Sequence, residues 1–223
     1  MERQAALLLL ADGRLPAGGY AHSGGLEPAV TAGRVADMAG LEKFLIGRAE
    51  TAGLIASAFA AAACARAAAD DLSDLETLAV ELDARTPSPE LRKVSRDLGR
   101  QLRRAMSSIH PHPLFAALGD APHQPIVMGV AAAVLGLGPR DAALAILHEN
   151  NSGAAASAAK LMRVDPFDVH AILARMTTRL DALAGQAAVA AEGAPGDLPS
   201  PGAPLSDIAA EHHRRRDVRL FAS

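Results

Sequence analysis

The stretch DMAGLEKFLIGRAETAGLIASAFAAAACARAAA, residues 37–69, decides the fold. It contains no proline, and alanine dominates its second half. Alanine gives up no side-chain entropy in a helix, so such a run favours helix over strand. Asp37 stands where an N-cap belongs, its carboxylate free to accept from the first amides of the helix. One long helix is expected from there to about residue 69. The bias extends to the whole chain. Half of its 223 residues are apolar, with no Trp, one Tyr and five Phe, and strand-favouring side chains are correspondingly scarce. The expected class is all-α: a single helical-bundle-like domain with a flexible C-terminal tail.

Outward from this segment, the remaining elements follow from caps and breakers. Residues 3–11 read as a short helix carrying Leu7 to Leu10. A Gly-rich loop follows, and a second short helix begins near Ser23 or Gly24 and ends by Gly33. Ser73 and Glu76 have the spacing of a capping box, with Leu75, Leu78 and Leu82 behind them at helical period. Ser88–Pro89 and Asp165–Pro166 each place a cap before a first-turn proline. The first opens a charged helix to about residue 108, and the second a helix to about residue 191. Between them lie a proline-broken connector, an apolar helix from about residue 126, and a helix opened by Pro139 that ENNSG (149–153) is expected to kink or divide. The composition changes at EGAPGDLPSPGAP (192–204), a Gly/Pro linker. The division expected is a helical domain over 1–192, then linker and C-terminal partner-binding segment over 193–223, with a helix restarting near Ser206.

Several function classes are disfavoured. A formal charge of −3 and a pI near 6.2 argue against nucleic acid, which needs a basic face. The lone Cys64 fits a reducing compartment and reads as a small buried side chain. The N-terminal residues lack the pattern of a secretory signal, and the apolar run around residues 53–65 reads as too short and too alanine-rich for a bilayer. A cytoplasmic protein without a membrane partner is expected. The eight histidines (His22, His110, His112, His123, His148, His170, His212, His213) include no i,i+3 or i,i+4 pair. The arginines at 92, 96, 100, 103 and 104 share one helix, reading as a solvated face or as a dock for an acidic partner.

Two features stay conspicuous. GRLPAGGYAHSGGLEPAV (13–30) has no phosphate-loop lysine and no strand before it. RRRDVRLF (214–221) ends in an apolar pair, Leu220 and Phe221, which must dock somewhere. Together they carry a resemblance. LLLLADGRLPAGGYAHSGGLEPAV (7–30) resembles the N-terminal signature of the UreF family of urease accessory proteins, at Leu15, Pro16, Gly18, Gly19, Tyr20, Ser23, Gly25, Leu26 and Glu27. ARTPSPELRKVSRDLGRQL (84–102), HQPIVMGVAAAVLGL (123–137) and the closing RLFAS (219–223) extend it over nearly the whole chain. The resemblance implies an all-α homodimer with no catalytic centre. It implies assembly with UreH (also called UreD) and the GTPase UreG for nickel insertion into apo-urease. Nickel and GTP would be handled by those partners, with no cofactor bound stably by this chain, and modulation of the GTPase is a further implied role. The partner-binding residues expected are Tyr20, His22, Ser23, Gly25, Leu26, Glu27, Arg219, Leu220, Phe221 and Ser223. Two other readings remain: a small enzyme using His22, Ser23 and Glu27 as an acid/base site, and a direct nickel binder using that loop.

Overall fold

The computed structural model describes residues 2–215 and 220–221; Arg219 and Ser223, expected to meet a partner, lie outside them. Among the described residues there are ten α-helices and no strand. They are α1 (Arg3–Leu10), α2 (Leu26–Thr31), α3 (Met38–Arg48), α4 (Leu54–Ala68), α5 (Leu75–Ala84), α6 (Pro89–Ile109), α7 (Gln124–Val134), α8 (Pro139–Met162), α9 (Pro166–Ala190) and α10 (Pro204–Arg214). The all-α expectation holds.

The caps act as their chemistry dictates. Asp37 accepts from the Gly40 amide at 2.7 Å, Ser88 from Leu91 at 3.2 Å, and Asp165 from Phe167 at 2.9 Å. The Ser73–Glu76 box does not form. The Ser73 amide and hydroxyl both bond to Asp71, two residues back, at 3.1 and 2.7 Å. That local turn outcompetes the cap, and α5 starts at Leu75 with no side-chain cap bond. Nor does ENNSG divide α8. Asn151 Nδ2 returns to the Leu147 carbonyl at 2.8 Å, and the Ser152 hydroxyl to that of Glu149 at 3.2 Å. Both side chains spend their polar atoms on the helix they were expected to break.

The decisive segment is one helical rod, Met38–Ala68, with a π turn at Ala49–Gly53 joining α3 to α4. Its 31 residues are long and apolar enough to cross a membrane, yet most of the apolar window is buried within the protein. α4 is the hub, packed against α7, α8 and α9. Ala58, Ala60, Ala61, Ala63 and Cys64 are wholly buried there. Small side chains let the neighbouring backbones come close. A Cβ on Gly129 of α7 would lie 2.2 Å from the Ala60 carbonyl oxygen. Burial pushes the Cys64 thiol up to about 12, with Asp141 adding to the shift, and its Sγ lies 3.5 Å from the Leu137 carbonyl. It behaves as a core side chain, not as a nucleophile.

The Gly/Pro stretch after α9 is strapped to the domain. Arg66 donates to the carbonyls of Ala191 and Gly193 at 3.0 and 3.1 Å. Arg85 donates to those of Gly196 and Leu198 at 2.8 and 3.1 Å, with its guanidinium 5.5 Å from the centre of the Phe59 ring. Two planar guanidinium groups thus hold backbone carbonyls that lie beyond the last turn of α9. Leu198 is buried. The stretch read as a tether therefore delivers α10 to a fixed place, against α6 and α2.

Candidate functional site

The Gly-rich loop lies over polar side chains that rise from the helices beneath it. Gly18 has φ +84°, and a Cβ there would meet the Gln101 side chain at 2.1 Å. Gly19 sits over Glu149, 3.0 Å from where its Cβ would be, and Gly24 (φ +60°) over Arg48, at 2.8 Å. The glycines are needed because α6, α8 and α3 each press a long polar group against this backbone. Arg48 also donates from Nε to the Gly24 carbonyl at 2.9 Å.

Ser23 is wholly buried, and its hydroxyl accepts the Glu27 amide at 3.2 Å, fixing the first turn of α2. This aims the Glu27 carboxylate at the far end of the chain. Oε1 accepts the Leu220 amide at 2.9 Å and Oε2 the Phe221 amide at 3.0 Å. His213 of α10, also buried, stands with Nε2 3.6 Å from Glu27 Oε2 and 3.4 Å from the Phe221 carbonyl. One buried carboxylate therefore joins the loop to the terminal segment. α10 is anchored in the same region: Glu211 accepts from the Ser88 hydroxyl and the Glu90 amide at 2.6 and 3.0 Å. Asp207 accepts from the Ser88 amide at 3.2 Å. The Ser88 and Glu90 bonds hold the Glu211 carboxyl below its usual range. Carboxylates at the first turn of α6 also meet the positive end of its dipole.

The expected site residues thus take different roles. Tyr20 and Leu220 are 78% and 72% exposed, and Phe221 is half-buried beside them in the same region of the fold. His22 is half-buried, and burial pushes its pKa down, with Asp97 opposing. Gly25 (φ +87°) caps α2. Leu26 is wholly buried in the core, so its side chain serves packing. The Glu27 carboxylate is engaged by two backbone amides, which suits a structural acceptor better than a general base. Among the described residues no three His, Cys, Asp or Glu side chains converge as a metal site.

The arginines of α6 tie down neighbouring backbone. Arg92 donates to the Thr86 carbonyl at 2.7 Å. Arg96 bridges the Ala121 carbonyl (2.7 Å) and Asp83 (2.6 Å). Asp83 in turn meets the buried His123 at 3.0 Å. Burial above all pushes the His123 pKa down.

Beneath the loop lies a cavity of about 590 Å³, walled by the loop, α3, α6, α7, α8, α10 and Phe221. Arg48 and Glu149 face it, neither of them among the site residues expected from the sequence. Glu149 accepts from Gln124 Nε2 with both oxygens at 3.1 Å. Burial nevertheless pushes its carboxyl up to about 7 from 4.5. A folded-state value above the unfolded one means that the folded chain binds more protons between them. Stability then falls as pH rises through that window. Glu149→Gln is expected to leave stability unchanged near pH 4 and to raise it by on the order of 2 kcal/mol above pH 8. Urea unfolding at the two pH values measures this. The available signal in the sequence was a charge set within an apolar run: Arg48 in FLIGRAETAGLI (44–55), which also carries Glu50, and Glu149 in ALAILHENN (143–151).

Comparison with known proteins adds an independent line. The family described as UreF matches over residues 35–177. The urease accessory protein UreF of Mycobacterium sp. (strain JLS) is 42% identical over 217 residues, covering 97% of both chains. That of Mycobacterium marinum (strain ATCC BAA-535 / M) is 42% identical over the whole of both chains. That of Mycobacterium tuberculosis (strain ATCC 25618 / H37Rv) is 39% identical, again over the whole of both.

Proposed function

Because this chain belongs to the UreF family of urease accessory proteins, we propose that it works as a non-catalytic scaffold in urease maturation. In this reading it assembles, as a cytoplasmic homodimer, with UreH (UreD)-type and UreG-type accessory proteins on apo-urease. It supports nickel insertion there, with nickel and GTP handled through those partners. The observation that carries the reading is the Glu27 carboxylate, which holds the amides of Leu220 and Phe221 against the glycine loop. It makes one surface out of the two segments best suited to be gripped. Tyr20 and Leu220 supply exposed apolar anchors on that surface. Anchors of this kind are where truncation costs most at interfaces. A surface organised before binding also loses less entropy on association. His22, Gly25, Arg219 and Ser223 complete the proposed contact region, while Ser23, Leu26 and Glu27 shape it from beneath.

The test is co-purification from cells making the whole urease gene set. The full chain is expected to bring down the UreH-type and UreG-type proteins. Deleting residues 219–223 is expected to abolish this while leaving the helical circular dichroism of the isolated chain nearly unchanged and lowering its melting temperature by only several degrees, as the Glu27 carboxylate loses its two amide donors. Undiminished complex formation by the shortened chain would overturn the reading.

A further inference from the structure

The cavity under the loop contains a guanidinium whose hydrogen-bonding capacity is not filled, although the Glu149 carboxyl lies close enough to attract it. The Arg48 guanidinium makes one hydrogen bond, from Nε to the Gly24 carbonyl. Among the described residues, Nη1 is buried without a hydrogen-bond partner. The nearest carboxylate influence, Glu149, is occupied by Gln124 and forms no ion pair with Arg48 among the described residues. A buried guanidinium N–H left without an acceptor is costly, and the oxygen of an anion would fill it. Burial lowers the Arg48 pKa to about 10, so the group stays charged at neutral pH.

The remaining walls say what kind of anion fits. Leu91, Val94 and Leu98 of α6 line the same space, as does Phe221. A cavity of about 590 Å³ falls in the size range that takes small organic ligands. Glu149 beside the guanidinium repels a dianion more than a monoanion. A planar carboxylate matches the guanidinium fork, and a short alkyl body matches the apolar wall.

We propose that the cavity beneath the glycine loop is a binding site for a small organic monocarboxylate, held by Arg48 with its alkyl part against α6. This does not rest on the scaffold reading, and either can fail alone. Because the ligand would touch the underside of the loop that Glu27 ties to the chain terminus, occupancy stiffens the proposed partner surface.

Sodium butyrate is the probe, titrated into the full-length protein near neutral pH. Calorimetry and thermal shift are read against sodium chloride and sodium phosphate at matched ionic strength. Butyrate is expected to bind saturably and to raise the melting temperature beyond either control. Arg48→Gln is expected to weaken butyrate about tenfold or more, the loss of a charged hydrogen bond. Should that variant fail to fold, Glu149→Gln decides the matter. It keeps the size of the carboxyl group, removes the competing negative charge, and is expected to tighten butyrate several-fold. Arg175→Gln, which breaks a solvent-facing pair with Glu42 outside the cavity lining, should leave butyrate binding as it was. Butyrate no better than chloride, phosphate better than butyrate, or binding indifferent to both cavity variants would overturn the proposal.

Discussion

Gly129→Val is expected to cost about 3 kcal/mol or more of folding stability. Its Cβ would fall 2.2 Å from the Ala60 carbonyl oxygen and 2.8 Å from both Ala63 Cβ and the Cys64 amide nitrogen. Two of those three are backbone atoms, which no rotamer change can move aside. α4 and α7 would have to separate, and α4 is the helix on which α7, α8 and α9 all pack. Urea unfolding followed by circular dichroism measures the loss as a lowered midpoint. Gly185→Ala in α9 is the control, since a Cβ there meets nothing within 4 Å. Relieved of glycine's entropy, that variant should gain up to about 1 kcal/mol. If both variants unfold at the wild-type midpoint, the close crossing of α4 and α7 is not what holds the bundle together.

Among single substitutions, Glu27→Ala is expected to have the largest effect on association. The carboxylate accepts two amides from the chain terminus, and hydrogen bonds to a charged group are worth roughly 1.5–3 kcal/mol. Without them the terminal segment leaves the loop, and a partner must order it while binding. Affinity for the UreH-type partner should fall by about tenfold to a hundredfold. The fold should survive, because the Ser23 hydroxyl still accepts the amide of residue 27 and Leu26 still fills the core. Surface plasmon resonance with the purified partner would measure the change. Tighter binding by the variant would mean that the docked terminus blocks the surface, and the scaffold reading would need the opposite sign.

The helical frame was legible because local chemistry and tertiary structure agree there. Asp37, Ser88 and Asp165 cap where their side-chain reach says they should. The expectations that failed concern competition between neighbours. Asp71 reaches Ser73 before the box can close, and Asn151 and Ser152 satisfy themselves on their own helix. The π turn at Ala49–Gly53 carries no sequence mark beyond Gly53 itself, which sits 3.2 Å from Leu147 Cδ2 when given a Cβ. The site was legible only in part. Paired glycines announce a close approach of something, but what approaches comes from residues 48, 101 and 149, far away in sequence. Arg48 and Glu149 look like ordinary surface charges until three helices converge on them. The bond between Glu27 and the chain terminus spans nearly the full sequence, and no periodicity or spacing rule reaches that far. Leu26, read as a contact residue, turns inward because α2 is only six residues long and needs an apolar side chain to seat it.

The most direct measurement of the central claim is amide hydrogen exchange at Leu220 and Phe221 in the isolated full-length chain. If Glu27 clasps the terminus to the loop, both amides exchange well below free-peptide rates, and Glu27→Ala returns them to those rates with the α4 amides unaffected. Free-peptide exchange in the unmodified protein, or equal protection in the two, would contradict the account.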